Sequence, residues 1–174
     1  MSGRLLLIVI AVLASLPAHA LSDPKPAAEL SGMQGEWRGQ LTYDDYSQPG
    51  HLVTLPTTLF AALSTPDTLV LHFVYDDGPG KTVHSYDQLN FDFALGQVAW
   101  TSGGEKPEVQ KLRIVSKSRQ GDRVQVVFAS DEPGHTAVHS LVLDATQLTL
   151  KKEEVDGGGA RHFRNEYRFQ RAGH

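Results

Sequence analysis

The stretch GEWRGQLTYDDYSQPG, residues 35–50, decides the fold. Its first half alternates Trp37, Gly39, Leu41 and Tyr43 against Glu36, Arg38, Gln40 and Thr42. Successive side chains of an extended strand point to opposite faces, so this spacing buries one row and solvates the other. The second half ends in Ser, Gln, Pro and Gly after a pair of aspartates, the chemistry of a turn: Asp bonds nearby backbone and Gly tolerates positive φ. A short alternating run followed by a polar break is the unit to look for in the rest of the chain.

It recurs to the C-terminus. The first run covers residues 36–44, and the expected strands after it cover 51–59, 69–75, 81–93, 97–101, 109–116, 123–129, 136–143, 147–153 and 162–170. DDGPG (76–80), SGGEKP (102–107), RQGD (119–122), SDEPG (130–134) and VDGGGA (155–160) break the runs. The run 81–93 carries Val83, Ser85, Asp87, Leu89, Phe91 and Phe93 on one face, and His84, Tyr86, Gln88, Asn90 and Asp92 on the other. No stretch after residue 35 holds apolar residues at helical spacing for more than about two turns. The expected fold is all-β: a single antiparallel meander β-barrel of 8–10 strands, closed so that no long sheet edge is left unpaired.

The N-terminus reads differently. MSGRLLLIVIAVLASLPAHA carries Arg4, an apolar core over residues 5–16, Pro17 and the small-x-small triplet Ala18-His19-Ala20. That is the layout of a secretory signal peptide over residues 1–20, cleaved after Ala20. Its core would span only ~18 Å as a helix, short of the ~30 Å hydrocarbon layer, so no stable membrane span is expected after cleavage. Residues 21–34 read as a flexible lead-in with a helical turn near 27–30, and residues 35–171 as the barrel. The expected location is the periplasm or the exterior.

Composition narrows the function. The net charge of −4 becomes more acidic once Arg4 leaves, which opposes nucleic-acid binding. The chain has no cysteine, so thiol chemistry, cysteine-based metal sites and disulfides are excluded, and an exported domain must hold by packing alone. The aspartate pairs Asp44–Asp45 and Asp76–Asp77 end strands beside turn residues and read as turn chemistry, since neighbours in a strand face opposite ways. His135 and His139 lie four residues apart on one expected strand, ~13 Å, too far to share a metal. His72 and His84 flank the 76–80 hairpin and read as solvent-side histidines. No nucleophile elbow or phosphate loop is present. No catalytic residue, metal site or cofactor is assigned.

Gly35-x-Trp37 at the head of the first strand, in a chain of meandering strands, resembles the calycin superfamily of lipocalins and fatty-acid-binding barrels. The longer pattern G-x-W-x-G-x-L-x-Y-x-D-Y resembles exported bacterial proteins of lipocalin-like fold. The resemblance implies barrel closure by Gly35 and Trp37, with a basic residue of the last strand, Arg164 or Arg168, over the indole. It implies an interior for a small apolar or amphipathic ligand, lined from the alternating inner faces by Leu41, Tyr43, Phe73, Tyr75, Phe91, Phe93 and Tyr167, with Leu71, Leu89 and Phe169 among them. An alternative is an interaction or inhibitor barrel acting through its loops on an envelope protein partner, for which Tyr46 or Trp100 would be the exposed aromatic. A further alternative comes from barrels resembling nitrobindin, which share the G-x-W-x-G start and hold haem through a His near the C-terminus. Here that residue would be His162, although Phe163, Tyr167 and Phe169 claim the apolar face of its strand.

Overall fold

The computed structural model describes residues 28–45, 47–103 and 107–173. The expected signal peptide, residues 21–27 of the lead-in and Tyr46 lie outside the described residues. Among the described residues ten strands follow one another: β1 (Gly35–Asp44), β2 (Leu52–Thr65), β3 (Thr68–Asp76), β4 (Thr82–Asp92), β5 (Gln97–Ser102), β6 (Glu108–Gln120), β7 (Arg123–Glu132), β8 (His135–Leu143), β9 (Gln147–Asp156) and β10 (Arg161–Arg171). Each pairs antiparallel with the next, and β1 pairs with β10 to close the barrel. The all-β meander barrel read from the alternation is the observed fold. β2 runs past its expected end at residue 59, to Thr65. Ala61 and Leu63 continue its inner row, but the small residues around them blur the pattern in the sequence.

The closing seam explains the second glycine of the opening motif. Gly39 sits opposite Phe169, and a Cβ there would run into the backbone carbonyl of Arg168. Only a residue without a side chain lets β1 and β10 approach this closely. Gly35 starts β1 at φ 125°, in the region that disfavours a side chain.

One end of the barrel is plugged. The helical turn α1 (Ala28–Ser31) leads into β1, and Leu30 and Met33 are buried in the same core as Trp37. Trp37 is fully buried and its indole N–H donates to the Met33 carbonyl at 2.8 Å. Leu30 and Met33 of the lead-in therefore belong to the core, and the helical turn expected near 27–30 is observed at Ala28–Ser31. The cation over the indole is Arg171, its guanidinium 4.1 Å from the ring centroid. Arg171 also donates to the carbonyls of Gln34 (2.9 Å), Gly32 and Ala145 (3.0 Å), tying β10 to the plug and to the β8–β9 turn. This corrects the expectation for Arg168, which is exposed and pairs with Glu166 at 2.8 Å. Register is the reason: Trp37 lies opposite Arg171, whereas Arg168 lies opposite Gln40 on the outer row. Arg164 pairs instead with Glu154, 3.1 Å away.

The inner rows change character along the barrel. Toward the plug they are Leu69, Phe91, Val98, Val126, Leu143 and Leu148, all buried. Toward the other end, which we call the mouth, polar residues take over the same rows. On β8 the row runs Leu143, Leu141, His139, Ala137, His135, and on β9 it runs Leu148, Leu150, Lys152, Glu154. No helix among the described residues is long and apolar enough to cross a membrane.

Candidate functional site: an interior cavity with unpartnered ring nitrogens

A cavity of about 250 Å³ lies inside the barrel on the mouth side of the core. Its apolar part is built by Leu71, Phe73, Leu89, Phe128, Leu141 and Leu150. Its polar part is built by Asp87, Trp100, Gln110, His139, Lys152 and Asn165. Strand register sets this wall: Leu89 is opposite Trp100, Phe128 opposite His139, and His139 opposite Lys152.

Three rings form the centre of the polar wall. His139 stacks face to face on Phe128, with centroids 5.4 Å apart and 4° between planes. Trp100 leans on both, 5.0 Å from His139 and 6.0 Å from Phe128. His139 is only 7% exposed, and among the described residues neither its Nε2 nor the Trp100 Nε1 has a hydrogen-bond partner. Burial is the main reason the His139 pKa falls to about 4, and the positive charge of Lys152 adds to it, against Glu132. The imidazole is therefore neutral at pH 7. Burial also raises the Asp87 carboxyl above its ordinary value. The nearby Trp100 indole and the Gly103 backbone N–H partly offset that rise. The indole N–H lies close to the carboxylate without meeting the geometry of a hydrogen bond.

Two further features bound the cavity. Tyr75 and Tyr167 meet hydroxyl to hydroxyl at 2.9 Å. Burial raises both phenols, so both stay protonated at neutral pH. This bond joins β3 to β10 across the two strands between them. Nearer the mouth a polar belt crosses five strands. Gln110 donates to Ser130 (2.8 Å) and Glu132 (3.0 Å). His135 lies 3.2 Å from Glu132 and 3.8 Å from Glu154, and Glu154 pairs with Arg164.

The expected ligand-binding residues separate into groups. Phe73 and Tyr167 line the cavity, and Tyr75 reaches it through its bond to Tyr167. Leu41 and Tyr43 share the Trp37 face of β1 and are half-buried, but lie outside the cavity. Phe91 is packed in the plug-side core opposite Val98. Phe93 falls in the β4–β5 turn, stacked 5.3 Å from Phe91 under the Lys117 ammonium. Trp100, expected as a loop aromatic, is an inward residue of β5. The residues missed are His139, Asp87 and Lys152. Alternation was their only signal, since each continues an inner row that is apolar on its plug side: Leu141 before His139, Leu89 before Asp87 and Leu150 before Lys152.

The other chemistry-bearing residues lie on the outside. His162 is exposed and bonds Asp156 at 3.1 Å, away from the cavity. His72 Nε2 and His84 Nδ1 meet at 2.9 Å on the outer face, with Tyr86 stacked on His72. Asp44, Asp45 and Asp76 accept backbone N–H bonds from Gly50, Ser47 and Gly78, the turn hydrogen bonds their positions imply. Among the described residues no group of three or more His, Asp and Glu side chains is placed to hold a metal ion.

No family model matches this chain, and no curated protein matches it. It is similar in fold to the crystal structure of Rv2717c from M. tuberculosis, with a TM-score of 0.61 and 14% identity, over 86% of this chain and 100% of that one. The likeness is one of fold and is consistent with a calycin-like barrel. A barrel of this kind is compatible with ligand binding.

Proposed function

We propose that this chain is an exported barrel that binds a small amphipathic molecule in its interior, without chemistry on it. The observation that carries the reading is the cavity, apolar on one side and fitted on the other with two buried ring nitrogens that no group among the described residues satisfies. Buried polar groups are nearly always partnered, and leaving one unmet costs about 1–3 kcal/mol. A site that accepts this cost in the free protein gains it back on ligand binding. The volume is just under the ~300–1,000 Å³ of drug-sized sites, which limits the ligand to a ring or a short chain. The leader pattern of residues 1–20 supports export.

Native mass spectrometry of protein taken from its own compartment tests the reading. The expected result is an added small organic mass, lost in Leu150→Trp, whose larger ring fills the cavity. An apo mass in the wild type, together with no saturable uptake of toluene, overturns it.

A further inference from the structure

The head group the cavity selects follows from the charge and donor pattern of its wall, given the ligand-binding reading above. An indole N–H can only donate, so Trp100 asks for an acceptor. The Nε2 of a neutral imidazole takes one hydrogen bond, as donor or as acceptor according to tautomer. Both rings line one cavity and touch each other, so their needs fall on one region of the ligand. A hydroxyl accepts and donates at a single atom, and an amide does so at two adjacent atoms. Either meets both rings, whichever tautomer His139 adopts.

Charge then excludes the ionic head groups. Asp87 lies beside Trp100, and Lys152 lies beside His139. A ligand carboxylate at the two rings would face the Asp87 carboxylate, and an ammonium would face the Lys152 cation. Each would leave water for a wall whose opposite charges cancel most of the attraction, and desolvating an ion costs several kcal/mol. A neutral dipole loses nothing by this arrangement, since a negative group on one side and a positive one on the other orient it.

The floor sets the rest of the molecule. Leu71, Phe73, Leu89 and Leu150 present only carbon, and a dry cavity of about 150 Å³ holds benzene. The larger space here admits one ring and a few substituent atoms, and no long acyl chain.

We infer that the cavity selects a small, uncharged molecule with an apolar ring or short chain and a hydroxyl or amide that bonds Trp100 Nε1 and His139 Nε2. Phenol is the simplest probe of that class. Toluene lacks the polar group, benzoate carries a negative charge and benzylammonium a positive one.

Each is titrated at pH 7 into the full chain while the two indole N–H resonances are followed by NMR. The Trp37 signal, at the plug, reports that the barrel stays folded. Phenol is expected to bind about tenfold more tightly than toluene, the worth of one to two neutral hydrogen bonds, and to move the Trp100 signal. Benzoate and benzylammonium are expected to bind at least tenfold more weakly than phenol. Trp100→Phe should bring phenol down toward toluene and leave toluene unchanged.

Phenol no better than toluene, or either ion equal to phenol, overturns this inference and leaves the ligand-binding reading standing. Failure of all four probes to bind a barrel with an intact Trp37 signal overturns both.

Discussion

The chain has two tryptophans, and the barrel uses them in opposite ways at its two ends. Trp37 at the plug is fully buried, donates to Met33 and carries Arg171 over its ring. Trp100 toward the mouth is only partly buried, and its N–H, in a cavity, has no partner among the described residues. The same contrast holds for the ionisable groups. Arg171 spends three hydrogen bonds on plug and turn carbonyls, while His139 is kept neutral and unpaired among rings. A satisfied network makes one end rigid, and an unsatisfied one leaves the other ready to accept a ligand.

The largest expected effect comes from breaking the plug. Trp37→Ala should destabilise the barrel by about 3–5 kcal/mol in urea unfolding, as loss of a fully buried large aromatic does. Trp100→Phe should change stability by less than about 1 kcal/mol, because it removes a donor that has no partner. Equal losses at the two sites would remove the basis of the contrast.

Next in size is the pH dependence set by His139. Its folded pKa of about 4 is below the unfolded value of 6.5, so the unfolded chain binds a proton first as pH falls. Stability is therefore full above about 6.5 and drops toward pH 4, by on the order of 3 kcal/mol over the whole interval. Urea midpoints at pH 6.5 and pH 5 should differ in the wild type and much less in His139→Leu. Asp87 has the opposite sign, since its raised pKa makes the fold take up a proton before the unfolded chain does. Asp87→Asn should therefore steepen the acid loss in the window just above 3.8. An unchanged slope in His139→Leu would falsify the assignment of a neutral buried imidazole.

A smaller difference separates two arginines on the last strand. Arg171→Ala should cost about 2 kcal/mol, because three carbonyls and an indole face lose their cation. Arg168→Ala, which removes only an exposed pair with Glu166, should stay within about 0.5 kcal/mol. A reversal of that order would return the closing role to Arg168. A single hydrogen bond is at stake in Tyr75→Phe, which leaves the Tyr167 hydroxyl without its partner and should cost about 1 kcal/mol. Thermal unfolding of this variant beside the wild type would show whether the bond between the hydroxyls holds the barrel's shape at all.

How much of this was legible varied with the interaction involved. The strand count and antiparallel order followed from period-two alternation and turn residues, because burial on one face acts on every residue of a strand. The plug tryptophan was readable for the same reason, being the largest apolar residue of an alternating run. Its cationic partner was missed: alternation alone puts Arg171 in the row of Tyr167 and Phe169 with Arg168 on the other face, and the β1–β10 register then places Arg171 opposite Trp37. The ligand face suffered most. Aromatic content pointed to Phe91 and Phe93, which the barrel uses as core, while the cavity is built around His139 and Asp87.

The sequence by itself determined a ten-run meander, the inner and outer row of most strands, the turns and the glycines that permit a close seam. These are local matters, fixed by the two-residue period of a strand and by backbone freedom at particular positions. Only the tertiary structure decided which inner residues meet across the barrel: the bond of Tyr75 to Tyr167, the stack of His139 on Phe128, and the space left over Leu71, Leu89 and Leu150. Whether an interior is filled or hollow depends on how side chains from opposite walls sum in volume. No single strand carries that information.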